Sequence, residues 1–168
     1  MRSLEITNAP VRSAKFIARK QQIIVGSDDT KLRVFNYNPA EKLKTIDDHT
    51  DYIRHIAVHP SLPYVLSCSD DDTIKMFDWD KNWSKVNTFQ DHGHYIMQVC
   101  INPKDPSMFA SASLDRTVKI WTVGTTKSTA NYTLTGHESG VNCIDFSRDP
   151  EKPHLVSGAD DGLVKVWD

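Results

Sequence analysis

The chain has 168 residues, of which 39% are hydrophobic and 25% charged; 20 basic and 22 acidic residues leave a formal net charge of −2. This balance excludes an intrinsically disordered chain and offers no electrostatic footprint for nucleic acid or an anionic membrane surface. No apolar run approaches the roughly 20 residues of a membrane-spanning helix, and Met1-Arg2-Ser3-Leu4-Glu5 is not followed by a signal-peptide core. Three cysteines, Cys68, Cys100 and Cys143, form no close pair. That argues against a disulfide framework or zinc knuckle and favours a reduced, cytosolic protein.

Taken in chain order, the predicted elements are short strands. Leu4-Glu5-Ile6 reads as the outer strand of a preceding unit. GSDDTKLRVFN follows from Gly26, then strands over Ile53 to His59, Tyr64 to Ser69 and Thr73 to Phe77. All are rich in β-branched and aromatic residues and separated by Asp- and Gly-containing turns. CSDDDTIKMFD starts at Cys68, ASLDRTVKIWT at Ala112 and GADDGLVKVWD at Gly158. These segments align: an acid (Asp29, Asp71, Asp115, Asp161) precedes a β-prone run that ends on an aromatic (Phe35, Phe77, Trp121, Trp167). Both sets are spaced by 42, 44 and 46 residues. A period of this size signals a repeat architecture. The Pro-containing stretch from Asp149 to Pro153 reads as a loop within a repeat, not a domain boundary.

Two further markers keep register. His49, His92 and His137 are each followed four residues later by an aliphatic, and Ser67, Ser111 and Ser157 each stand four residues before the aligned acid. This combination resembles WD repeats over the whole chain, with repeats ending near Tyr37, Trp79, Thr122 and Asp168. The resemblance implies an all-β fold, a propeller of four-stranded antiparallel blades. The carboxylate bonds the turn and the histidine, the histidine bonds the serine, and the serine meets the tryptophan indole. His92-Ser111-Asp115-Trp121 and His137-Ser157-Asp161-Trp167 are complete sets; His49-Ser67-Asp71-Phe77 lacks the indole. The first repeat carries Thr7 and Val25 at the histidine and serine positions, so its network is expected to be absent and its blade the least rigid. About seven blades close such a ring. The chain supplies about four, so the ring is expected to stay open, and both ends read as cut.

Other signals are weaker. His92-Gly93-His94 lacks a third ligand, and Asp70-Asp71-Asp72 lacks the glycine and distal glutamate of a calcium loop, so no metal and no cofactor is expected. Asn82-Trp83-Ser84 and Asn131-Tyr132-Thr133 match the glycosylation pattern only by coincidence in a cytosolic protein. No phosphate loop, nucleophile elbow or zinc-protease motif is present, so a non-enzyme is expected. Trp79 and Trp83 are read as packing residues.

The stretches between the markers are more specific. APVRSAKFIARK from Ala9, RVFNYN from Arg33, HTDYIRHIAVHPSLPYVLS from His49, FDWDKNWS from Phe77, HYIMQVCINPKDPSMFASASLDRTVKIW from His94 and SGADDGLVKVWD from Ser157 resemble the N-terminal propeller of the coatomer beta-prime subunits, a family of the COPI vesicle coat. The resemblance implies retrograde Golgi-to-ER and intra-Golgi transport, in the cytoplasm and peripherally on Golgi membranes and COPI vesicles. The implied partners are C-terminal dilysine signals on cytosolic tails of membrane cargo, and other coatomer subunits through segments missing here. Carried over residue by residue, Arg12 is expected to meet the terminal carboxylate, and Asp51, Asp70 and Asp160 the lysine ammoniums, which is apt chemistry for each. Asp70 and Asp160, one residue before the turn acid, are expected on the exposed side of their turns. Further basic residues of that pocket belong to a first blade this chain lacks. The alternative is a non-catalytic scaffold or adaptor, which would not depend on a free carboxylate.

Overall fold

The computed structural model describes residues 3–149, 151–152 and 154–168. Four antiparallel sheets follow one another along the chain. The first has strands β1 (Val11–Ile17), β2 (Gln22–Ser27), β3 (Lys31–Tyr37) and β4 (Ala40–Asp47), and the second has β5 (Ile53–Val58), β6 (Tyr64–Ser69), β7 (Ile74–Asp78) and β8 (Ser84–Phe89). The third has β9 (Ile96–Ile101), β10 (Met108–Ser113), β11 (Val118–Thr122) and β12 (Tyr132–Leu134). The fourth sheet is three-stranded among the described residues: β13 (Val141–Phe146), β14 (Leu155–Ala159) and β15 (Val164–Trp167). Each sheet is a meander in which sequential strands pair. This is the blade arrangement expected from the repeat, except that β15 has an open edge where β4, β8 and β12 lie in the other sheets. Leu4-Glu5-Ile6, read as a strand, pairs with nothing and is irregular. Pro150 and Pro153, in the loop between β13 and β14, lie outside the described residues.

The first strands of the four sheets lie side by side, β1 against β5, β5 against β9 and β9 against β13, and the row does not close into a ring. Side chains tie neighbours together along it. The Ile56 amide donates to Ser13 Oγ at 3.1 Å, and the Ile144 amide to Gln98 Oε1 at 3.1 Å. The apolar core is not one mass but three, each between two successive sheets. Ile24, Leu32 and Val34 of the first sheet meet Ile53, Ile56, Val65 and Phe77 of the second. Leu66, Ile74 and Met76 meet Val99, Phe109 and Trp121, and Ala110 and Val118 meet Val141, Ile144 and Leu155. Strands β6 and β7 are buried on both faces, so burial runs on almost without a break along them and covers Ser67, Ser69, Lys75 and Asp78 as well as the apolar residues. Gly26 marks the tightest approach: a Cβ there would stand 2.6 Å from Ile53 Cγ2. Trp79 is buried in the core between the first two sheets, with Trp83 packed against it. The Arg19 guanidinium crosses from the first sheet to lie 5.1 Å from the Trp79 ring centroid and to donate to the Ser61 and Leu62 carbonyls.

Candidate functional site

The histidine-centred sets sit at one end of the sheets, at the turns between the second and third strands. His92 Nδ1 lies 2.6 Å from Asp115 Oδ2 and Nε2 2.6 Å from Ser111 Oγ, while Trp121 Nε1 donates to the same Oγ at 2.8 Å. His137, Asp161, Ser157 and Trp167 repeat this at 2.8 Å throughout. The indole can only donate, so the serine hydroxyl accepts from it and keeps its own proton to donate to Nε2, which leaves Nδ1 to donate to the carboxylate. In the second sheet His49 bonds Asp71 and Ser67, both at 2.7 Å, and Phe77 leaves the hydroxyl without an indole. Burial tends to raise the carboxyls of Asp71 and Asp115. Bonds from the histidines, from Thr73 and Thr117, and from the amides of Thr50 and Gly93 outweigh it and hold both well below the ordinary range.

The first sheet corrects the expectation of an absent network. Thr7 Oγ1 donates to Asp29 Oδ2 at 2.7 Å, and Ser27 Oγ to Asp29 Oδ1 at 2.6 Å. Arg33 grips both carboxylate oxygens, at 3.0 and 2.6 Å. An arginine that replaces the repeat's lysine on the third strand supplies the hydrogen bonds to the turn acid that a histidine supplies elsewhere. Thr7 does stand in the histidine's place, but as a donor in a different set.

The same end carries a second repeating device. In each sheet the first strand begins with a β-bulge: pairing is interrupted between Val11 and Ser13, Ile53 and His55, and Val141 and Cys143, and beside Met97 in the third sheet. The extra residue is Arg12, Arg54, Met97 or Asn142. A backbone bond pins the turn opposite it in all four sheets, from the amides of Asp28, Asp70, Leu114 and Asp160 to the carbonyls of Pro10, Tyr52, Tyr95 and Gly140, at 2.9 to 3.0 Å. In the first, second and fourth sheets the bulge thereby brings its extra side chain onto the residue before the turn acid. Arg12 meets Asp28 with Nε–Oδ1 at 2.8 Å and Nη2–Oδ2 at 2.6 Å. Arg54 meets Asp70 at 2.7 and 2.5 Å, and Asn142 donates to Asp160 at 2.6 Å. The Arg12 guanidinium holds the Asp28 carboxyl below its usual range.

Asp70 is not on the exposed side of its turn: its side chain is 4% accessible and covered by Arg54. The reason is the bulge, which brings Arg54 across the turn. Asp160 is exposed, as expected. Arg12, whose side chain is 42% accessible, is bound bidentately to Asp28 rather than free. Asp51 is half-buried, accepts from the Tyr52 amide at 2.7 Å and sits beside the exposed Tyr52 ring. That ring lies 5.7 Å from the Arg54 guanidinium. Arg12, Asp28, Arg54 and Asp70 form one electrostatic cluster. No bond among the described residues joins Asp160 to it. Arg54 is the residue sequence reasoning missed, although it stands 42 positions after Arg12, at the repeat's own spacing. Among the described residues no group of histidine, cysteine and acid side chains is arranged to hold a metal, and no helix is long and apolar enough to cross a membrane.

Sheets of this form, three of the four built round a histidine, a serine and a turn aspartate, define a WD-repeat protein. Residues 40–78, 83–122 and 128–168 match the WD domain, G-beta repeat family, well over half the chain, and the chain belongs to it. Within that family it is similar to coatomer subunit beta'. It is 55% identical over 160 residues to those of Homo sapiens and Rattus norvegicus, covering 95% of this chain and 17% and 18% of theirs. It is 54% identical over 167 residues to coatomer subunit beta'-2 of Arabidopsis thaliana, covering 99% of this chain and 18% of that protein. The chain thus spans less than a fifth of the length of these curated relatives.

Proposed function

We propose that this chain is a COPI coat module that binds C-terminal dilysine signals of membrane cargo at the rim of bulges and turns, in the cytoplasm and at Golgi membranes. The similarity to coatomer subunit beta' supports the coat role. The observation that carries the binding reading is the paired geometry of Arg12–Asp28 and Arg54–Asp70 on adjacent sheets. A dilysine tail presents two ammonium groups and a terminal carboxylate a few residues apart, and this rim presents guanidiniums and carboxylates at a similar grain. Arg12, joined by Arg54, takes the terminal carboxylate. Asp51 and Asp70 take lysines, and Asp160, two sheets further on, takes a residue farther up the tail. Because each arginine already holds a carboxylate, the ligand inserts its charges between existing partners. The rim stays ordered without it, and the side-chain entropy cost of binding is reduced. Partner coat subunits would engage the remainder of the longer protein.

The test is fluorescence anisotropy with a dilysine-tail peptide as free acid and as C-terminal amide, against the chain and its Arg12→Ala variant. Saturable binding that needs both the free carboxylate and Arg12 is expected. Equal binding of acid and amide, or no binding by a folded chain, overturns the reading and favours a scaffold that does not read chain termini.

A further inference from the structure

In the second sheet the acid assigned to a lysine is already occupied. Asp70 gives both carboxylate oxygens to Arg54, Oδ1 to Nε at 2.7 Å and Oδ2 to Nη2 at 2.5 Å, and its side chain is left 4% accessible. The backbone holds both partners in place. The bulge between Ile53 and His55 projects Arg54 across the turn, and the Asp70 amide is pinned to the Tyr52 carbonyl at 3.0 Å. Of the two side chains, the arginine has the room to move. It is 22% accessible, and the Tyr52 ring, 5.7 Å from its guanidinium, offers a face along which a cation stays stabilised.

An ammonium group reaches Asp70 only after the guanidinium has left it, and neither charge of a ligand can bring that about cheaply alone. A lysine that displaces Arg54 strips it of its counter-ion in the field of a second cation, Arg12. A carboxylate that draws Arg54 away leaves Asp70 a covered, unpaired anion, the costly outcome of breaking a buried pair. When both arrive together, each released charge meets a partner of opposite sign, and one ion pair becomes two. The fourth sheet has the same station without this constraint. Asn142 stands at the same bulge position and donates to Asp160 at 2.6 Å. A neutral amide needs no counter-ion when it lets go, so a lysine at Asp160 displaces no charge.

We propose that Arg54 is a lock on Asp70 which the terminal carboxylate of the tail opens, so that this carboxylate and one lysine bind as a coupled pair. Resting on the dilysine reading above, the lock adds a rule of selection to it. A lysine pair with no chain terminus within reach finds Asp70 closed.

A double-mutant cycle made in the peptide tests the lock on the unmodified chain. Fluorescence anisotropy compares the dilysine tail as free acid and as amide, each also with one lysine or the other replaced by norleucine, which keeps the stem and removes the charge. For one of the two lysines, amidation is expected to weaken the intact tail about tenfold more than it weakens the norleucine tail. A second arm uses Arg54→Asn, which rebuilds in the second sheet the pair Asn142 makes with Asp160 and is checked for fold by circular dichroism. It is expected to bind the amide about threefold more tightly than the unmodified chain does, and to lose the coupling. That gain disappears when the same lysine is norleucine, whereas mere loss of a positive charge from the rim favours both lysines alike. Amide and norleucine effects that simply add, in binding that still needs the free carboxylate, overturn the lock and leave the dilysine reading standing. Coupling that persists in Arg54→Asn likewise overturns it. Equal binding of acid and amide by the intact tail overturns both.

Discussion

Ser111→Ala and Ser67→Ala delete the same hydroxyl from two sheets with different consequences. Ser111, fully buried, accepts from Trp121 Nε1 at 2.8 Å and bonds His92 Nε2 at 2.6 Å. Removing its oxygen strands two buried polar atoms, the indole N–H and the imidazole nitrogen. Ser67 is as deeply buried, but Phe77 takes the tryptophan's place, so only His49 Nε2 at 2.7 Å loses a partner. An unsatisfied buried polar group costs about 1–3 kcal/mol. Ser111→Ala is then expected to cost about 2–6 kcal/mol and Ser67→Ala about 1–3. Urea titration at unchanged slope measures each cost. Hydrogen exchange of β10 and β11 amides localises it, since each sheet contacts only its neighbours. In a Trp121→Phe background the cost of Ser111→Ala is expected to shrink to that of Ser67→Ala, because the stranded donor is gone. Equal costs in the unmodified background, or no coupling to Trp121, would refute the account of the indole as a working member of the set.

Two further outcomes follow from groups already described. Asp71 and Asp115 titrate below the ordinary carboxyl value in the folded chain, so their stabilisation is complete above about pH 4 and drains away as pH falls through the folded values. His55 acts at higher pH: burial, with Lys15 nearby, pushes its imidazole from 6.5 down to about 4. Between those values the unfolded chain binds a proton the folded chain refuses, so stability falls on acidification there too. Unfolding free energy measured against pH is expected to fall less steeply in that upper window in His55→Gln, the remainder coming from His59, whose imidazole burial also lowers, and to keep its fall below it; an unchanged upper window contradicts the assignment. Gly26→Ala drives a Cβ to 2.6 Å from Ile53 Cγ2 between two packed sheets, and is expected to destabilise by about 1–3 kcal/mol. Gly93→Ala meets nothing within 4 Å at an ordinary backbone angle, and is expected to be neutral or stabilising by about 0.4–1 kcal/mol. Thermal or urea midpoints of the two variants decide it.

The blades were legible because the period is carried by residues with a physical reason to recur. An acid in a turn, a histidine four residues before a strand and a serine beneath it are positions of one hydrogen-bonded set, and spacing along the chain is enough to find them. The bulge was not legible, because it changes register without leaving a residue type behind. The extra residue is Arg12 or Arg54 in two sheets, Met97 in the third and Asn142 in the fourth. A turn residue such as Asp70 is usually exposed, and only the neighbouring bulge reveals the arginine that covers it. The first sheet hides its set for a related reason. Counting histidines predicts a missing set, whereas the burden on Asp29 has moved to Arg33, a side chain long enough to reach back from the third strand.

Length variation along the chain falls unevenly between the two ends of the sheets, and this bears on where recognition can reside. At the bulged end, the turns between second and third strands are three or four residues long, and the passages from one sheet to the next are five or six. At the opposite end, the links between first and second strands run from four to eight residues and those between third and fourth strands from two to nine. The growth of the repeat from 42 to 46 residues is therefore absorbed mostly away from the bulges. A hydrogen-bonded set that spans a turn and the preceding passage tolerates no slack in either, since a shift of one residue leaves a buried histidine or carboxylate without its partner. The backbone of that end is thereby held to one geometry while the side chains above it are free to differ: arginine with aspartate twice, methionine with leucine, then asparagine with aspartate. Under the proposed function, an extended ligand laid across the row would meet a charged stretch, an apolar step at Met97 and Leu114, and the Asn142–Asp160 pair, each at a spacing set by the sheets. On that proposal, substituting side chains at those four stations is expected to alter what is read without altering where, which separates the specificity of the surface from the stability of the fold beneath it.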